Sequence, residues 1–152
     1  PDPHRNPLER GLSQLRLHKA TGLLADACSE TQLLDFLMSP LVQCRNNYLE
    51  TIRRWRKAIP EGRFLMLWHD DILANPKQTL EKAFRFLDVK LLSPECMGSL
   101  DVRVNRHPDV ALSPNLIRRH AIALQPGTAE LATVLGSHAE QWLSACERVC
   151  HA

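Results

Sequence analysis

A guanidinium, a helix start and a hydroxyl stand within one short stretch near the beginning of the chain, Arg5-Asn6-Pro7-Leu8-Glu9-Arg10-Gly11-Leu12-Ser13. Arg5 offers the planar fork of donors that fits a phosphate. Asn6 can cap a helix, Pro7 suits the first helical position, and Glu9 stands where a capping-box carboxylate reaches back. Leu8, Leu12 and Leu15 follow at helical spacing, which puts Ser13 on the helix flank. A phosphate at such a start would meet backbone N–H groups, the positive end of the helix dipole, an arginine and a hydroxyl. The chemistry is anion recognition. The same pattern, taken alone, also describes a capped surface helix with an incidental arginine.

This stretch resembles the 3′-phosphate-binding motif of sulfotransferases that use 3′-phosphoadenosine 5′-phosphosulfate (PAPS), in which an Arg and a Ser eight residues later hold the nucleotide's 3′-phosphate. Arg5 and Ser13 have that spacing. A second block is similar as well: Tyr48 and Trp55, then Pro60, the run Phe64 to Trp68, His69-Asp70-Asp71-Ile72, Pro76 and Phe86-Leu87. His69 and Asp70 depart from the Tyr and Glu usual there. The resemblance implies a late loop over the nucleotide, with Arg103 or Arg106 as its basic residue. It extends with gaps to the closing helix around Trp142, and the Arg-x-Pro-x-x-Arg form favours the carbohydrate-directed and bacterial branch.

The elements needed to position these residues are readable from period and punctuation. Helix 1 ends near Gly22, a C-cap candidate. Ser29 or Thr31 caps a short helix through Leu33 and Leu37. Leu41, Cys44, Tyr48, Ile52, Trp55 and Ile59 predict one continuous helix between Pro40 and Pro60. Arg63 to Trp68 has the length and apolar continuity of a strand buried on both faces, as in a parallel sheet. Leu80, Ala83, Phe84 and Leu87 mark a helix after Pro76. Ser113-Pro114 opens another through His120 and Leu124, and Thr128 caps the last. Helix, strand, helix is the rhythm of an α/β layer fold. The resemblance makes it the P-loop-like sulfotransferase fold, a parallel sheet flanked by helices.

With 152 residues the chain is long enough for one domain with a real core. A formal charge of +2 is too small to imply nucleic acid, and the cations at Arg53, Arg54, Arg56 and Lys57 read as a solvated helix end rather than a DNA patch. Five cysteines in no dense framework suit reduced thiols in a cytoplasmic protein. No apolar run reaches the ~20 residues that span a bilayer. His69, Asp70 and Asp71 point to alternate sides and do not make a metal site. Cys146, Cys150 and His151 lack further ligands, and His4 is a solvated loop residue. No metal is expected.

None of the six glycines belongs to a Gly-x-x-x-x-Gly-Lys loop, and only four residues precede Arg5. The family's phosphosulfate loop and catalytic base lie upstream of its 3′-phosphate motif. Residues 1–152 therefore read as the C-terminal portion of a single sulfotransferase domain, holding half a donor site and inactive alone. The reaction implied is transfer of a sulfuryl group from PAPS to a hydroxyl or amine of a small-molecule or carbohydrate acceptor. The alternative is a non-catalytic helical interaction module or a degenerate remnant. An apolar sheet edge left uncovered predicts self-association.

Overall fold

A computed structural model describes residues 5–91, 93, 100 and 110–152, and in it almost every ordered element is a helix. They are α1 (Pro7–Ala20), α2 (Glu30–Met38), α3 (Pro40–Gln43), α4 (Tyr48–Ala58), α5 (His69–Ala74), α6 (Pro76–Phe86), α7 (Pro114–Leu135) and α8 (Ser137–His151), with a 3₁₀ turn at Glu61–Arg63. The chain divides into two compact units. One comprises Pro1–Arg5 and Arg53–Arg106, the other Asn6–Ile52 and His107–Ala152, so the division falls inside α4.

The second unit is built on the hairpin of α7 and α8. Gly136 joins them at φ +71°, ψ −144°, a conformation essentially restricted to glycine. Across the hairpin, the Cys146 thiol donates to the Ala121 carbonyl at 3.1 Å. Leu8, Leu12 and Leu15 of α1 pack with Leu33 and Leu37 of α2 and with Leu116, Ala121 and Leu124 of α7. Leu15, Leu37 and Ala121 have no exposed surface. Burying a leucine of this kind is worth roughly 1.5–3 kcal/mol, so this leucine-rich seam dominates the unit's stability. A flanking contact sets the Tyr48 and Trp142 rings 6.0 Å apart at 51°.

Two helix expectations need correction. The helix foreseen across Pro40 to Pro60 is broken into α3 and α4. Asn46 and Asn47 lie in the turn between them, where Asn47 Oδ1 accepts from the Glu50 N–H at 3.3 Å. Short polar side chains of this sort compete with the helix for backbone groups. Conversely, α7 runs unbroken for 22 residues through Pro126 and Gly127. Thr128 does not cap a new helix; its hydroxyl donates to the Leu124 carbonyl at 2.9 Å. Pro126, Gly127 and Ile122 are exposed, so the carbonyl that Pro126 leaves unmatched stands on the solvent side, where the loss is mildest.

In the first unit, residues 64–67 are extended and partly buried, but no β-ladder forms among the described residues, and Trp68 makes a single bridge. The parallel sheet expected of the α/β reading is therefore not present in them. A strand is completed by a neighbour's backbone, and the described residues hold no second strand to pair with it. Among the described residues of this unit Trp68 and Thr79 are buried, whereas Trp55, Leu73, Phe86, Leu87, Val89 and Leu91 are exposed. The uncovered apolar surface is thus a scatter of side chains on α4 to α6 and the segment after them, not a sheet edge.

Candidate functional site

The α1 start forms as its residues dictate. Asn6 Oδ1 accepts from the Leu8 N–H at 3.0 Å, and Asn6 O accepts from the Arg10 N–H at 2.9 Å. Pro7 has no N–H to offer. Of the first turn, this leaves the Glu9 amide as the one without a partner among the described residues, fewer than an open helix start would present. Arg5 stands immediately before the cap and is partly buried. It is grouped with the first unit, and Ser13 with the second.

Ser13 lies partly exposed in the second turn of α1. Arg10 and Arg16 sit three residues to either side, on the same flank of the helix. Each reaches a carbonyl from another segment: Arg10 Nη1 donates to Arg45 O at 3.2 Å, and Arg16 Nε donates to Val110 O at 3.4 Å. The Ser13 hydroxyl therefore has a cation one turn above and one turn below it. From the sequence Arg10 enters only as the second arginine of the Arg-x-Pro-x-x-Arg form, and Arg16 not at all, although its spacing from Ser13 is visible there. Arg103, Arg106 and His4 lie outside the described residues.

The tightest feature around this helix is at Gly11. A Cβ added there would fall 2.5 Å from His120 Nε2, 3.3 Å from His120 Cε1 and 3.5 Å from Leu37 Cδ2. His120, on α7, is fully buried, and neither ring nitrogen has a hydrogen-bond partner among the described residues. Burial holds its pKa down, from 6.5 to about 4, so the imidazole is neutral through the physiological range. From the sequence His120 reads as one member of an apolar stripe. The clue was Gly11 itself, because a glycine inside a leucine-rich helix asks for a packing reason.

The start of α7 is fixed by a small polar network. Ser113 Oγ accepts from the Leu116 N–H at 3.1 Å and donates to a Glu30 carboxylate oxygen; Asn115 Nδ2 donates to the other at 2.6 Å. Hydrogen bonds from Ser113 and then Asn115 lower the Glu30 pKa. On α2, Ser29 is the cap, completed by Gln32 as a capping box. His69 and Asp70 lie in the first turn of α5, with His69 Nδ1 3.9 Å from Asp70 Oδ1. Among the described residues no three His, Cys, Asp or Glu side chains converge on a metal position. Arg53, Arg54, Arg56 and Lys57 are all exposed on α4.

Among the described residues, no helix is long and apolar enough to cross a membrane. Comparison with curated proteins and with solved structures found no match. A family comparison did: the family described as "Sulfotransferase domain" matches residues 4–104. That span begins just before Arg5, takes in α1 to α6 and stops short of α7 and α8. It covers more than half of the 152 residues, and the chain belongs to the sulfotransferase domain family.

Proposed function

We propose that the chain supplies the 3′-phosphate-binding half of the donor site in an enzyme that transfers a sulfuryl group from PAPS to a hydroxyl or amine. The observation that carries this is the capped α1, with Arg5 before its cap and Ser13 on its flank, inside the span that matches the family. Arg5 binds the 3′-phosphate as a fork and Ser13 donates its hydroxyl, with Arg10 and Arg16 adding positive potential beside Ser13. Arg103 or Arg106 adds a contact from the late loop. Together these favour PAPS over nucleotides that lack the 3′-phosphate.

In this reading residues 1–152 are the C-terminal portion of one P-loop-like domain. The phosphosulfate loop and the base lie in a segment outside them, and residues 64–68 complete a strand in its parallel sheet. The acceptor class is carbohydrate or a small alcohol, and the enzyme works in the cytoplasm. Catalysis is by positioning and charge stabilisation: the acceptor oxygen or nitrogen attacks sulfur, the bond from sulfur to the bridging phosphate oxygen breaks, and 3′,5′-ADP leaves. The exposed apolar residues from Phe86 to Leu91 favour association with a further part of the protein or a second copy.

Titration calorimetry of the full-length protein tests the donor assignment. 3′,5′-ADP binds more tightly than 5′-AMP, and Arg5→Ala removes about 1.5–3 kcal/mol from the first and little from the second, as loss of a charge-assisted contact requires. Equal affinity for the two nucleotides refutes the reading.

A further inference from the structure

We infer that His120 is a positioning residue for the donor helix: its buried imidazole seats against Gly11 and thereby fixes where Ser13 stands. The inference rests on the donor reading above. Two features that each weaken a fold coincide at this one contact. A glycine inside a helix is a poor helix former, and a buried imidazole whose nitrogens have no partner has given up water without replacement. Alanine facing leucine would serve stability better. What the existing pair provides is close approach of α1 to α7 at a definite place.

The distances make the approach consequential. A Cβ at Gly11 would stand 2.5 Å from His120 Nε2, against about 3.4 Å or more for ordinary contact, so either the helix or the ring must retreat by close to 1 Å. His120 has no exposed surface, and the equally buried Leu37 lies at the same contact, so the ring has nowhere to go. The helix moves instead. Ser13 is two residues further along the same rigid element and moves with it. A charge-assisted contact near 2.8 Å does not survive a shift of that size, since a separation of about 3.6 Å is no longer a hydrogen bond. Misplacements of about 1 Å are known to cost site functions up to a hundredfold.

The test is a double-mutant cycle in the full-length protein, with Gly11→Ala, His120→Ala and the pair, titrated with 3′,5′-ADP and 5′-AMP. The readout is the ratio of the two affinities, because any packing defect lowers the melting temperature but only displacement of the groups that meet the 3′-phosphate, Ser13 of α1 among them, lowers the ratio. Gly11→Ala is expected to reduce the ratio about tenfold or more, and adding His120→Ala to bring it back within about threefold of wild type. A ratio unchanged in Gly11→Ala, or a loss that His120→Ala does not restore, overturns the inference. If Gly11→Ala alone does not fold, the comparison runs between His120→Ala, which unseats α1 and is expected to lower the ratio severalfold, and the pair. Recovery in the pair supports the inference, and a pair no better than His120→Ala overturns it. A wild type indifferent to the 3′-phosphate would instead refute the donor reading and take this inference with it.

Discussion

Acid should loosen the second unit through His120 before it touches anything else in that core. The imidazole is buried without a partner, and burial depresses its pKa from 6.5 to about 4. Between those values the unfolded chain takes up a proton that the folded chain refuses, so stability falls as pH falls. The full contribution is present above 6.5 and is lost as pH drops through about 4. At about 1.36 kcal/mol per pH unit, the complete loss is roughly 3 kcal/mol, of which roughly 2 has gone by pH 5. A total stability of about 5–15 kcal/mol makes that visible. Urea unfolding followed by helical circular dichroism, from pH 7 to pH 5, measures it. That window also avoids Glu30, whose lowered pKa keeps its contribution intact above 4.5. His120→Leu should abolish the slope while costing under about 1.5 kcal/mol at pH 7, since no hydrogen bond is lost. Equal slopes in wild type and His120→Leu would refute the reasoning.

Two further outcomes follow from the helical hairpin. Gly136→Ala should cost about 1–3 kcal/mol in chemical unfolding, because its φ of +71° with ψ −144° suits glycine alone and no neighbouring atom obstructs the new Cβ; a neutral result would mean the α7–α8 joint is not held at that geometry. Cys146 should resist thiol reagents in the folded protein while the exposed Cys44 reacts. Burial first, then the neighbouring Cys150, raises the Cys146 pKa to about 11; labelling followed by peptide mass mapping would contradict this if Cys146 reacted alongside Cys44.

How legible was all this beforehand? The opening of α1 was, because capping and period are local: Asn6, Pro7 and the leucine stripe do what their types require. The capping box at Ser29 and the positive φ of Gly22 are equally local. The elements misread were those settled by competition. A continuous apolar stripe from Leu41 to Ile59 lost to an Asn-Asn turn that offers its own hydrogen bonds. Pro126 and Gly127 looked like a helix end, yet α7 passes through them, since tertiary burial of Leu124, Thr128 and Leu131 overrides propensity. The run from Phe64 to Trp68 is a different case: it carries a strand's composition, and no sheet forms around it among the described residues. Arg5 and Ser13 are proposed from their spacing. Arg10 and Arg16 were present in the same letters, but their carbonyl partners lie 35 and 94 residues away.

That last contrast bears on how a phosphate site is kept in shape. A hydroxyl on a helix is only as well placed as the helix, and α1 is held on several sides by different means. Leu8, Leu12 and Leu15 bury its inner face, His120 occupies the notch at Gly11, and Arg10 and Arg16 are tied by their own side chains to Arg45 and Val110. Apolar burial alone tolerates sliding, because it has no direction. Directional hydrogen bonds and a close backbone contact remove that freedom, which is what a donor group needs if binding energy is to go into recognition rather than into ordering the site. The family match ends at residue 104, yet His120 and Val110 come from beyond it. Residues outside the matched span thus set the precision with which Ser13, inside it, is placed.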